Sequence, residues 1–154
     1  MTEIAKTTAS REINATPQEI FDLLSNPARH NETDPAGSVV STDKGERLKQ
    51  VGDTFRMNMV KGDGSEYQTE NKVFAFVDDR VIGWQNLKNL TSDVEVGSKW
   101  LYELEPIDAT TTKLSLTYDP SEIANPQVQA LAKEKFAIES NLDASLAKIA
   151  EVLG

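Results

Sequence analysis

The chain has 154 residues, of which 38% are apolar and 27% are charged, and this balance is typical of one folded domain, here residues 1–154. It contains no cysteine, which excludes disulfides, thiolate nucleophiles and cysteine-based zinc sites. The net charge of −9 disfavours binding to nucleic acid or to an anionic membrane. No apolar run could span a bilayer and no signal peptide is evident, so we expect a cytoplasmic protein without integral membrane association.

The first predicted elements are a strand and two short helices. Residues 4–13 are rich in residues that favour β-structure, which predicts a strand. Thr16–Glu19 has the spacing of a capping box with proline at the first helical position, and the apolar residues after it predict one buried helix face. Asn26–His30 then predicts the end of this helix and a second short helix.

The middle of the chain predicts about six further strands, largely joined by hairpin-like turns. Alternation of apolar and polar residues with period two supports several of them. Phe74 and Phe76 indicate a register shift or bulge near Val73, and the polar segment 87–96 predicts a loop. The strands are predicted to begin at Val39 and then to cover residues 54–60, 66–77, 80–86, 98–105 and 111–118.

The C-terminal segment predicts one long amphipathic helix. Asn125–Pro126 has the features of a helix start, and no residue from there to Leu153 breaks a helix. At 1.5 Å per residue the helix would be about 40 Å long, so its apolar stripe needs a broad partner such as a sheet. The stripe consists of Val128, Leu131, Ile138, Leu142, Leu146, Ile149 and Leu153.

Together these elements predict an α+β fold. A curved antiparallel sheet of about seven strands would wrap around the long C-terminal helix, and the two short helices after the first strand would fill the gap before the second.

Several segments match sequence patterns that are typical of one protein superfamily. Residues 10–24 look like the opening strand and helix of that family, and Asn26–His30 with Asp34 looks like a segment of its bacterial polyketide cyclase-like branch. Further similar segments are Val81–Trp84, Trp100–Pro106 and Ser140–Leu146. The chain thus resembles the START-like (SRPBCC) superfamily, which includes the birch-pollen allergen, lipid-transfer START domains and polyketide cyclases. This resemblance implies the helix-grip fold, often with a cavity between sheet and helix.

The predicted inner face of the sheet combines large aromatic side chains that have polar tips with adaptable methionines. This mixture suits a pocket for a flat or greasy ligand, and the alternative is ordinary core packing. Tyr67, Thr69 and Asn71 join the inner face only if their strand keeps its register, and Leu114 and Leu116 are also expected to face inward. The candidate ligand-binding residues in the sheet are Phe55, Met57, Met59, Tyr67, Trp84, Trp100, Tyr102 and Tyr118.

Two further candidates lie in the predicted C-terminal helix. Lys135 falls within the apolar stripe, beside Phe136 and four residues before Glu139. A buried, unpaired lysine is costly, so it could be a gate or polar anchor for a ligand's carboxyl or carbonyl group. The alternative is an ordinary surface pair with Glu139.

His30 is the single histidine of the chain. It could act as an acid or base near neutral pH, with Asp34 as its orienting partner. The alternative is a partly exposed histidine at the end of a short helix, hydrogen-bonded to local carbonyl groups. One histidine without cysteine cannot form a site of several such ligands, so we expect no metal and no cofactor.

Three functions follow as hypotheses. The leading one is a protein that binds or transports a hydrophobic small molecule, such as a lipid, polyketide or isoprenoid. The second, suggested by the resemblance, is a polyketide cyclase or dehydratase in which His30 or a tyrosine moves protons. The third is a protein-interaction module like the Hsp90-activator branch. Sequence does not determine the oligomeric state.

Overall fold

The structure, a computed structural model, describes residues 6–34, 39–42, 47–61, 63–132 and 139–153. Within these residues, eight strands form one curved antiparallel sheet in the order β1-β8-β7-β5-β4-β3-β2, and β6 pairs with β5. The predicted α+β fold is therefore confirmed. The strands are β1 (Thr7–Ile13), β2 (Val39–Thr42), β3 (Thr54–Val60), β4 (Glu66–Val77), β5 (Val81–Asn89), β6 (Val94–Glu95), β7 (Lys99–Pro106) and β8 (Thr112–Asp119).

Two short helices and a 3₁₀ helix lie between β1 and β2, as predicted. Helix α1 spans Pro17–Leu24 and begins with a capping box. The Glu19 N–H donates to the Thr16 hydroxyl and the Thr16 N–H donates to the Glu19 carboxylate, both at 3.2 Å. The 3₁₀ helix Pro27–Arg29 and helix α2, His30–Thr33, follow.

The C-terminal part of the chain contains α3, Pro126–Leu131, and α4, Glu139–Leu153. The single helix predicted over this region is helical at both ends, and residues 133–138 lie outside the described residues. The prediction for Leu131 is wrong, because 43% of this residue is exposed whereas Ala132 is buried. Val128 of the expected stripe does pack against the core, so the side of α3 that faces the core runs through Val128 and Ala132, which are four residues apart.

Helix α4 provides the apolar layer over one side of the sheet. It packs chiefly on β1, then on α2 and β8, and also contacts α1. Leu142, Leu146 and Ile149 are fully buried there, as the predicted stripe requires. Among the described residues, no helix combines the length and the apolar character needed to cross a membrane.

The segment 87–96 was predicted as a loop, and this prediction is wrong for half of its length. Strand β5 continues to Asn89, and β6 pairs back on it as a short hairpin. The Asn89 side chain holds the turn by accepting hydrogen bonds from the N–H groups of Thr91 and Ser92. Because this hairpin is polar and only partly buried, it lacks the alternation from which the other strands were predicted.

The register shift predicted in β4 is confirmed between Val73 and Ala75. It places Phe76 against the hydrophobic core and Phe74 on the opposite, outer face over Gly83. A Cβ atom at Gly83 would lie 2.9 Å from the Phe74 ring, so this close packing requires glycine. Because of this shift, Phe74 and Phe76 face opposite sides of the sheet although they are only two residues apart.

Candidate functional site

Strand pairing places the predicted aromatic residues side by side on the inner face of the sheet. Trp84 on β5 pairs with Trp100 on β7, which in turn pairs with Tyr118 on β8. The rings of Trp100 and Tyr118 lie 4.5 Å apart, and Met59 on β3 pairs with Tyr67 on β4. The predicted residues of the sheet therefore form a continuous surface that extends from β3 to β8.

Burial divides these inward-facing residues into two groups. Phe55, Met57, Tyr102 and Tyr118 are buried in the hydrophobic core. The others remain partly exposed, and all of them except Tyr67 pack against the core. Apolar side chains that face a filled interior are normally buried. Part of the inner face is therefore open to solvent. The partly exposed members are Met59, Tyr67, Trp84 and Trp100.

Four rings form what we call the aromatic cluster: His30, Phe55, Trp84 and Tyr102. The His30 ring stacks on Trp84 at 4.8 Å and 23°, and Phe55 meets both of these rings edge-on at 5.7 Å. Tyr102 lies 5.5 Å from Trp84 at a tilt of 40°. Stacked and edge-to-face rings are the favoured arrangements of aromatic pairs, so the cluster forms a closely packed aromatic wall.

His30 enters this cluster from the first residue of α2 as a neutral ring. Only 8% of the residue is exposed, and its Nε2 lies 2.8 Å from the carbonyl oxygen of Leu24. Because a carbonyl only accepts, Nε2 is the protonated nitrogen. Burial lowers the pKa of His30 to about 4, opposed by this hydrogen bond.

Asp34, which was predicted to orient His30, lies elsewhere in the inner region. Its carboxylate accepts the N–H of Val39 at 2.7 Å. The His30 ring bonds instead to the carbonyl of Leu24, and the pKa of His30 is shifted by burial and by this bond. Burial raises the pKa of Tyr102 and of Tyr67, and the negative charge of Asp34 adds to both shifts. Asp34 therefore makes this end of the inner face electronegative.

A row of polar side chains, here called the polar belt, crosses the inner face beside the aromatic cluster. It consists of Thr69, Asn71, Asn86 and Ser98. Thr69, Asn71 and Ser98 are buried, Asn71 pairs with Asn86 across β4 and β5, and the Asn71 amide donates to the Thr69 hydroxyl at 3.3 Å. Thr69 and Asn71 were expected on this face only if β4 kept its register, whereas Asn86 and Ser98 were missed.

The sequence contains a pattern from which the inward position of the two missed residues could have been predicted. Asn86 follows Trp84 by two residues and Ser98 precedes Trp100 by two, so the period of a strand places each on the same face as its tryptophan. Ser98 also hydrogen-bonds to the Tyr118 side chain, whose pKa burial raises to about 12. The inner face is thus amphipathic, with rings beside amides and hydroxyls.

Two predicted site residues, Lys135 and Phe136, lie outside the described residues. In the part of the chain that the structure describes, no group of three or more His, Cys, Asp or Glu side chains could hold a metal ion.

A separate cleft of about 500 Å³ lies beside β5 and β6 and contains none of the predicted site residues. Its lining includes three carboxylates, of which Asp93 pairs with Lys88 and Glu122 pairs with Lys99. Half of its lining residues are charged or polar, so the cleft suits an apolar ligand less well than the aromatic inner face does.

A family model described as "Polyketide cyclase / dehydrase and lipid transport" matches residues 5–154. Over 110 residues the chain is 28% identical to "Uncharacterized protein Rv0088" of Mycobacterium tuberculosis. The alignment covers 71% of this chain and 45% of that protein, so the chain spans about half the length of the curated relatives it matches.

Solved structures have the same fold at low sequence identity. Protein CV1439 from Chromobacterium violaceum is 15% identical with a TM-score of 0.70, and the match covers 96% of each chain. Protein Ms6760 from Mycobacterium smegmatis is 14% identical with a TM-score of 0.72, over 96% of this chain and 90% of the other. At these identities the likeness concerns the fold alone.

Proposed function

Because the chain belongs to the polyketide cyclase / dehydrase and lipid transport family, we propose that it binds or transports a hydrophobic small molecule at the inner face of its sheet. The observation that supports this proposal best is the partial exposure of Met59, Tyr67, Trp84 and Trp100, which all face inward. A ligand that removes about 200 Å² of apolar surface from water gains about 5 kcal/mol before the cost of association.

The position of α4 also supports this proposal. Its main contacts in the sheet are with β1 and β8, and it also packs on α2, whereas the rings and polar groups that the sheet contributes lie chiefly on β3, β4, β5 and β7. The inner face thus has a dry half, where Leu146 and Ile149 fill the space, and an aromatic half, where the ligand would bind. Lipid, polyketide and isoprenoid skeletons all suit such a wall.

The hypothesis of a cyclase or dehydratase is less well supported by the geometry of His30. A general base works best when its pKa is near the operating pH, and the pKa of His30 is about 4. The hydrogen bond from Nε2 to Leu24 also fixes the ring against the wall. His30 therefore serves the proposed site as a stacked, neutral ring.

The hypothesis of a protein-interaction module would need a docking surface on the outer face. On β1 and β8 that face presents exposed hydroxyl pairs, Thr8 with Thr117 at 3.0 Å and Ser10 with Ser115 at 2.8 Å. These polar pairs give no specific support to a partner protein.

Binding of a neutral apolar dye tests the proposal. N-phenyl-1-naphthylamine, which fluoresces in apolar surroundings, should bind saturably and accept energy from Trp84 and Trp100, the two tryptophans of the chain. We expect Trp84→Ala to weaken binding about ten-fold, or about 1.4 kcal/mol, because the dye loses a stacking partner.

Leu101→Ala is the matched control, because Leu101 follows Trp100 on β7 and faces outward beside Gly83. It should leave the dye affinity within about two-fold. Failure of the dye to bind saturably, or equal losses in the two variants, would contradict the proposal.

A further inference from the structure

Asn86 has an unusual place in the polar belt. Its side-chain oxygen Oδ1 is buried and has no hydrogen-bond partner, and no other side-chain oxygen or nitrogen among the described residues has this property. A buried acceptor without a partner is unfavourable, since it has lost water and gained nothing in return. The residue lies two positions after Trp84, so this oxygen is beside the wall of the proposed site.

The neighbouring polar groups do not supply the missing donor. One N–H of the Asn71 amide, across from Asn86, donates to Thr69 at 3.3 Å, the Ser98 hydroxyl bonds to Tyr118, and neither group bonds to Asn86 Oδ1. A leucine would fill a similar volume at position 86 without an unpartnered polar atom. The amide is therefore better explained by a partner that arrives from outside the chain.

The charges near this face indicate which charge a ligand of the inner face can carry. No lysine or arginine is present among the described inward-facing residues of β3, β4, β5 and β7. The negative charge of Asp34 adds to the effect of burial in raising the pKa of both Tyr67 and Tyr102. A carboxylate ligand would be repelled by this negative charge.

We propose that the ligand is a neutral ring compound bearing a hydroxyl group, such as a phenol or a fused-ring alcohol, and that its O–H donates to Asn86 Oδ1. The ring system packs on Trp84 and Phe55 of the aromatic cluster. This inference rests on the proposed function and adds the polarity of the ligand: a donor is recognised, whereas a carboxylate or a pure acceptor is not.

Four probes with one ring skeleton separate these chemistries: naphthalene, 2-naphthol, 2-methoxynaphthalene and 2-naphthoate, each measured by equilibrium dialysis at pH 7. We expect 2-naphthol to bind about ten-fold tighter than 2-methoxynaphthalene, which keeps the oxygen but lacks the donor. We expect 2-naphthoate to bind more weakly than naphthalene.

In Asn86→Leu the preference for 2-naphthol over 2-methoxynaphthalene should disappear, while the affinity for naphthalene stays within about two-fold. The melting temperature of the ligand-free variant should be equal to or higher than that of the unmodified protein, because an unpartnered buried amide has been removed. Asn58→Leu is the control, since Asn58 bonds to Ser41 on the other face and should keep the preference.

The outcomes are distinguishable. Equal affinities for 2-naphthol and 2-methoxynaphthalene overturn this inference and leave the proposed function intact. A preference that persists in Asn86→Leu, or a lower melting temperature of that variant, overturns the role of Asn86. Failure of all four probes to bind overturns the proposed function and this inference with it.

Discussion

His30 is held as a neutral ring by burial and not by a charged partner. Its folded pKa of about 4 lies below its ordinary value of 6.5, so the native state binds fewer protons than the unfolded state between these values. Stability therefore rises with pH across this window. The contribution is fully present above about pH 6.5 and is lost as the pH falls towards 4.

The first prediction concerns this dependence. One pKa unit corresponds to about 1.4 kcal/mol, so the protein should lose about 3 kcal/mol of unfolding free energy through His30 between pH 7 and pH 4. In His30→Phe, which keeps a ring against Trp84, that part of the loss should vanish. Urea unfolding of both proteins across the pH range measures the difference. Parallel pH profiles would contradict the account, and because the chain has no other histidine, the difference has a single source.

Single residues were predictable where one strong pattern determined them. The alternation along β3 and β7 indicated the inward set, and the structure places Phe55, Trp84 and Tyr102 together on one face. Asn86 was not predictable as an unpartnered acceptor, because this property depends on which neighbours across the sheet already have partners.

At the scale of elements, α4 and the strands β1 and β8 form the dry half of the interior. Leu146 on α4 is fully buried and belongs to the same core as Leu114 and Leu116 of β8. The aromatic half lies farther along the sheet, where α2 contributes His30. Stability and ligand binding should therefore respond to different substitutions.

Leu146→Ala tests this separation. Deleting the buried methyl groups should lower the free energy of unfolding by about 2–5 kcal/mol, because it leaves a cavity between helix and sheet. Among the molecules that remain folded, the affinity for N-phenyl-1-naphthylamine should stay within about two-fold. A loss of dye affinity comparable to that of Trp84→Ala would show that the two halves are one site.

Element boundaries were predicted well where capping or alternation was strong. The capping box at Thr16 and the extent of Glu66–Val77 agree with the structure. The hairpin after Asn89 and the exposure of Leu131 were not predicted, because each depends on where an element lies against its neighbours. Local sequence contains little information on that position.

At the scale of the molecule, the fold itself followed from the order of elements and the family resemblance. The match of the family model over residues 5–154 confirms the family, and the sheet order confirms the arrangement. The division of the inner face into a dry and an aromatic half could not be predicted, since it requires the position of α4 relative to the sheet. A net charge of −9 and the negative charge of Asp34 near the inner tyrosines both disfavour an anionic ligand.

The most direct test of the central claim is residue-level mapping of a photoreactive ligand. A neutral naphthyl probe that bears a diazirine is cross-linked to the folded protein, and the labelled residues are identified by tandem mass spectrometry. We predict labels on Met57, Met59 and Trp84, reduced by excess N-phenyl-1-naphthylamine. Labels confined to outward-facing residues such as Phe74 and Leu101, or labels that the dye does not reduce, would contradict a ligand site on the inner face.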